Sequence, residues 1–127
     1  TGELQYADHV AWLSKRLTDP QRATRIYIAL TPRGTRAGQV RLDWLPGKRY
    51  PEIAVAVAPS QRGRGLGTQM IAAALLTIRP TTPVVARIRP DNLASIVAFT
   101  RAGFRPSGRP RKLPAPHVVL LYRPEPR

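Results

Sequence analysis

Apolar positions change period several times along the chain, and each change marks an element. Between Asp8 and Leu17, Val10, Leu13 and Leu17 recur at helical spacing with Trp12 alongside. This predicts an amphipathic helix ended by Asp19-Pro20. Arg25 to Leu30 is β-branched and aromatic and reads as a strand. From Gly38 to Leu45, Val40, Leu42 and Trp44 alternate with other residues, and from Glu52 to Val57, Ile53, Val55 and Val57 do the same. Short turns at Thr31–Thr35 and Pro46–Lys48 join the three strands into an antiparallel meander. The segment from Gln69 to about Ile78 is apolar almost all round, which predicts a helix buried on several sides. Thr82 to Ile88 returns to a strand pattern, so the link from the Glu52 strand implies a parallel, right-handed crossover. Asn92 to Ala102 reads as a helix capped by Asp91 or Asn92 and stopped by Gly103. Arg105 to Pro116 is rich in proline and arginine and reads as loop, His117 to Tyr122 as a closing strand, and Pro124-Glu125-Pro126 as a frayed tail. With no internal repeat or boundary, residues 1–127 form one domain, read as a trimmed piece or a domain of a longer chain because it starts at Thr1 without Met.

Composition narrows the chemistry. The apolar fraction of 43% suits a globular core, and no apolar run is long enough for a membrane helix. The absence of cysteine removes disulfides, cysteine nucleophiles and thiolate metal sites. His9 and His117 are far apart in sequence, so no metal is expected. The formal charge of +14 favours polyanionic partners such as a nucleotide. Only three of the basic residues are lysines (Lys15, Lys48, Lys112), so an arginine-rich genome is the plainer source of the excess. A nucleic-acid-binding domain is disfavoured, since neither aromatic interleaving nor a groove-reading motif is present.

Arg62-Gly63-Arg64-Gly65-Leu66-Gly67-Thr68 lies where the Glu52 strand turns into the Gln69 helix. Glycine allows positive φ and close backbone approach, so successive N–H groups can converge on one point. A helix N-terminus adds unpaired donors and partial positive charge, and two guanidinium groups add full charge. The plainer reading is a tight turn with solvated arginines; the functional one is a pyrophosphate site. The spacing matches neither a P-loop, which needs a following Lys, nor a dinucleotide G-x-G-x-x-G.

Asn92 through Phe104 forms the second motif, Asn-Leu-Ala-Ser-Ile-Val-Ala-Phe-Thr-Arg-Ala-Gly-Phe. Taken with Arg62–Gly67, which fits [RQ]-x-x-G-x-[GA], this segment fits N-x-x-[AS]-x-x-x-[FY]-x-x-x-G-F, and the pair resembles the GNAT N-acetyltransferase superfamily over roughly Ala29 to Tyr122. The resemblance implies a GNAT-like α+β fold with a mixed sheet in three layers. It would have an antiparallel meander and a parallel crossover around a cofactor cleft, with the family's first strand short or absent before Asp8. It also implies direct, acetyl-CoA-dependent transfer of an acetyl group to an amine. Backbone groups of Val55 and Val57 would pair with the pantetheine arm, and Arg62, Gly63, Arg64, Gly65, Leu66, Gly67 and Thr68 would hold the pyrophosphate. Asn92 would face the cofactor and Phe99 would lie by its thiol end, with the strands of Glu52 and Val84 splayed to admit it.

Glu52, read as the only acid in the central stretch, is the candidate base, directly or through water; the plainer reading is a solvated strand-end carboxylate. Phe99 stands where the family usually has tyrosine and has no proton to give, so Tyr122 or Tyr27 becomes the candidate acid, or solvent serves. His9, Trp12 and Arg16 and the Arg105–Pro116 loop would border the acceptor. The opening pattern is similar to members acting on amino groups of nucleotide-linked sugars, which makes a small-molecule amine the expected acceptor. Protein N-terminal amines are the other enzymatic reading, and a catalytically weak coenzyme A-binding sensor or scaffold is the non-enzymatic one. The expected location is cytoplasmic, with no membrane partner and a homodimer left open.

Overall fold

The computed structural model describes residues 11–19, 22–44, 47, 50–78, 80–106 and 118–122. Its strands are β1 (Ala11–Asp19), β2 (Arg22–Leu30), β3 (Arg36–Trp44), β4 (Glu52–Val57), β5 (Val84–Ile88), β6 (Arg105–Pro106) and β7 (Val118–Tyr122). Its helices are α1 (Leu66–Leu75) and α2 (Leu93–Arg101). The strands form one sheet in the order β1-β2-β3-β4-β5-β7-β6. Neighbours are antiparallel except β4 and β5, which run parallel on either side of the α1 crossover.

The helix expected at Asp8–Leu17 is a strand from Ala11 onward, and residues 8–10 lie outside the described set. Every residue of β1 pairs with β2, from Ala11 with Leu30 to Asp19 with Arg22. Long-range strand pairing therefore overrides a local helical spacing of only three apolar positions. The crossover strand and its helix are shorter than expected, starting at Val84 and ending at Leu75 respectively. Arg105–Pro106, expected as loop, adds a two-residue strand on β7; residues 107–117, and the chain before Asp8, lie outside the described set.

Both helices pack on one face of the sheet. Met70 and Ile71 of α1 and Phe99 of α2 share a buried core with Val40, Leu42, Ile53, Val84, Ala86 and Leu120. No residue of α1 is fully exposed, as its all-round apolar character predicts. Arg25, from β2, lies 4.7 Å from the Trp44 ring centroid and donates from Nη1 to the Thr77 carbonyl at 3.4 Å, just past the end of α1. A cation there satisfies an orphan carbonyl and suits the helix dipole. Gly38 is needed for space: a Cβ on it would stand 2.3 Å from the Ala56 carbonyl oxygen and 2.8 Å from Met70 Cε. The opposite face of the sheet carries Thr24, Arg41, Asp43, Glu52, Ala54, Ala56 and Arg87, and among the described residues no helix covers it.

Candidate active site

β4 and β5 share a single paired position, Glu52 with Val85, reinforced by Val85 N–H donating to the Pro51 carbonyl at 3.0 Å. Beyond it they diverge into a fork, while β4 remains paired to β3 along its whole length. On the side of β4 that the fork leaves unpaired, a cleft of about 770 Å³ lies between the end of β4, the start of α1 and α2. Val55 and Val57, the glycine loop, Asn92 and Ala98 line it.

After β4 the chain makes one 3-10 turn, Pro59–Gln61, and enters the loop. Gly63 and Gly65 adopt φ of +80° and +73°, which side-chain-bearing residues seldom do. Arg62 Nε donates to the Val57 carbonyl at 3.3 Å and Arg64 Nη1 to Gln61 Oε1 at 3.5 Å, so both guanidiniums are tethered close to the loop. Gly65 caps α1 without a side-chain hydrogen bond, and the first turn contains no acid. The initial N–H groups of the helix and its positive dipole end are therefore left for an anion. A Cβ at Gly67 would sit 3.4 Å from Ala98 Cβ and 3.6 Å from Val57 Cγ2, so this glycine brings α1 close to both α2 and β4. Asn92 Oδ1 accepts from Ser95 N–H at 3.2 Å and caps α2 at the cleft wall. These features fit a diphosphate-bearing ligand with an extended arm.

The closed end of the fork is built from side chains. Glu52 is directly opposite Asp43, which in turn is opposite Thr24. Asp43 accepts from Thr24 Oγ1 at 2.5 Å and pairs with Arg41 Nε at 2.8 Å. Glu52 pairs with Arg87 Nε at 2.6 Å, which ties the fork shut on the uncovered face. Two acids facing each other across strands repel, and the two arginines compensate. The expectation of one acid in the central stretch is thus corrected: Asp43 is beside Glu52. Only the β3–β4 register shows this; in sequence the two are separated by a turn.

The remaining expected residues scatter. Phe99 is 2% exposed, its ring 4.9 Å from that of Phe104 in an edge-on arrangement within the core. Tyr122 is half-buried, 5.5 Å from the Phe104 ring and under Gly103. It pairs with Val84, one position out of step with Val85, so it stands on the helix face while Glu52 stands on the other. Tyr27 is half-buried against the core. Trp12 and Arg16 belong to the edge strand β1, with β2 and β3 between it and β4; His9 lies outside the described residues. Among the described residues no cluster of three metal-type side chains forms, and no helix is long and apolar enough to cross a membrane.

Comparison with known proteins agrees with this arrangement. Residues 1–105 match the family model of the acetyltransferase (GNAT) domain. An uncharacterized protein of Mycobacterium leprae is 35% identical over 80 residues, which span 62% of this chain and 22% of that protein. A solved structure from Bordetella pertussis, assigned to the GNAT acetyltransferases, is 28% identical with a TM-score of 0.64, covering 78% of this chain and 65% of its own. The aminoglycoside acetyltransferase AAC(6')-Ib, solved with ribostamycin and coenzyme A, shares the fold at 23% identity and a TM-score of 0.64, covering 79% of this chain and 64% of its own. The chain thus spans less than two thirds of each of these relatives.

Proposed function

The chain belongs to the GNAT acetyltransferase family, and from that premise we propose that it is an acetyl-CoA-dependent N-acetyltransferase acting on a small-molecule primary amine. An amino group of a nucleotide-linked sugar is the acceptor suggested by the sequence. The observation that carries the reading is the forked β4–β5 cleft ending on an uncapped, glycine-lined helix N-terminus. In this reading, loop N–H groups from Gly63 to Thr68 and the two arginines hold the pyrophosphate. The open backbone edge of β4 at Val55 and Val57 aligns the pantetheine arm, with Asn92 on the opposite wall. Acetyl-CoA supplies an activated acyl group when bound.

The acceptor approaches from the uncovered face, where Glu52 takes the amine proton directly or through one water. The C–N bond forms as the C–S bond breaks, and the thiolate takes a proton from Tyr122 or solvent on the helix face. Base and acid on opposite faces of the fork suit a direct transfer through it. A backbone N–H of β4 near Val57 can polarise the carbonyl. Two observations favour a second reading, a coenzyme A-binding module with little turnover: Glu52 is engaged by Arg87, and Phe99 offers no proton. An acceptor screen monitored by thiol release from acetyl-CoA separates the two. Turnover with any amine above the hydrolytic background supports the enzyme; acetyl-CoA binding without turnover supports the module.

A further inference from the structure

The sheet face from which the acceptor is proposed to reach Glu52 carries two further charged groups, Arg41 and Arg87, that the transfer itself does not use. Arg41 is paired across β3–β4 with Ala54. Arg87 is two residues beyond Val85, the partner of Glu52, which brings it level with Ala54 on the other side. The two arginines therefore stand on the same sheet face, on either side of the exposed Ala54, where β4 and β5 begin to part. Their side chains are 43% and 47% exposed. Each places its Nε at ion-pair distance from a carboxylate, Arg41 from Asp43 and Arg87 from Glu52, which leaves the outer Nη edge of the guanidinium as the part that could meet a ligand. Ala54 and Ala56, both exposed and small, form a flat floor between them, and Glu52 closes one end. The result is a shallow seat with a carboxylate at the end and a guanidinium on each side.

We infer that the acceptor is an amine that also carries an acid group, phosphate or carboxylate, with Arg41 and Arg87 reading the acid while the amine meets Glu52. This rests on the N-acetyltransferase reading and names its substrate class. Guanidinium forks are suited to planar or tetrahedral oxyanions and discriminate against an analogue lacking them. Charge points the same way. A chain with 21 basic and 7 acidic residues repels a polycation, so an aminoglycoside such as the ribostamycin bound to the relative above is a poor match.

The test uses matched acceptors, O-phosphoethanolamine against ethanolamine and an amino acid against its amide, with ribostamycin as the polycation. The acid-bearing member of each pair should have a kcat/KM at least about tenfold higher, carried by KM. Arg41→Gln and Arg87→Gln should each shrink that ratio while calorimetric acetyl-CoA affinity stays unchanged. Circular dichroism identifies a variant that fails to fold, and the second arginine then decides. A preference for the neutral or polycationic amine, or a ratio that survives both substitutions, overturns the inference. If acetyl-CoA binds but no amine reacts, calorimetric titration of O-phosphoethanolamine and ethanolamine into the coenzyme A complex decides, and equal binding overturns it. If acetyl-CoA itself does not bind, the transferase reading falls first and the acceptor class with it.

Discussion

The two ends of β4 are built by different means. At Val57 the strand runs into glycines, and what it offers a ligand is backbone: N–H groups, a helix end and positive φ. At Glu52 the strand is clamped between β3 and β5, and what it offers is side chains held in a cross-strand row from Thr24 to Arg87. A backbone site tolerates varied side chains but no change of conformation. A side-chain site tolerates backbone variation but no change of residue type. The first end should therefore govern affinity for a cofactor shared by the family, and the second the acceptor and the rate.

The sharpest way to break this contrast is Glu52→Gln. Removing the proposed base should lower turnover by about 10²-fold or more near neutral pH, with acetyl-CoA affinity unchanged. The loss should shrink as pH rises and free amine accumulates. A pH-independent loss accompanied by a lower melting temperature would make Glu52 only the tie across the fork. At the other end, Gly65→Val puts a β-branched residue at φ +73° and crowds the approach to the loop. Calorimetry should record acetyl-CoA binding weakened by roughly 10–100-fold, in line with 1–3 kcal/mol for such backbone strain. Unchanged affinity in a folded variant would remove the loop from the site.

Two smaller effects probe the wall between the ends. Phe99→Tyr would place a hydroxyl in a ring position that is 2% exposed and packed on Phe104, so it should destabilise the fold by about 1–3 kcal/mol. A thermal melt showing no loss, together with faster turnover, would instead put position 99 in the cleft. Asn92→Ala removes the side-chain cap of α2 and should cost about 1 kcal/mol, read from urea unfolding. An intact fold stability with weakened acetyl-CoA binding would show that Asn92 serves the ligand more than the helix.

The backbone end was readable in the sequence because glycine spacing, flanking strand and following helix are all local, and the same holds for the cap at Asn92. The side-chain end was not. Asp43 and Glu52 become neighbours only through the β3–β4 register, and the turn between them carries no signal of which residues will face. The edge strand β1 was misread because Val10, Leu13 and Leu17 happen to fall at helical intervals, while nine pairings with β2 decide its state. The motif position of Phe99 suggests a place beside the thiol, but its burial and its edge-on packing against Phe104 are tertiary contacts that no local pattern announces.

Gly38 has a wider consequence. It touches no cleft residue with a side chain, yet its missing Cβ lets β3 lie against the Ala56 carbonyl with Met70 pressed in behind. It is paired to Val57, the residue that forms the cleft's inner lip. Any side chain at position 38 would have to push that lip outward or the helix away, because the carbonyl would stand 2.3 Å from the new atom. The gap available to a ligand is therefore gauged from within the sheet, by a residue on the neighbouring strand β3 that does not itself line the cleft. Attempts to widen or narrow the mouth by changing only its lining will work against a spacer that has already fixed its width.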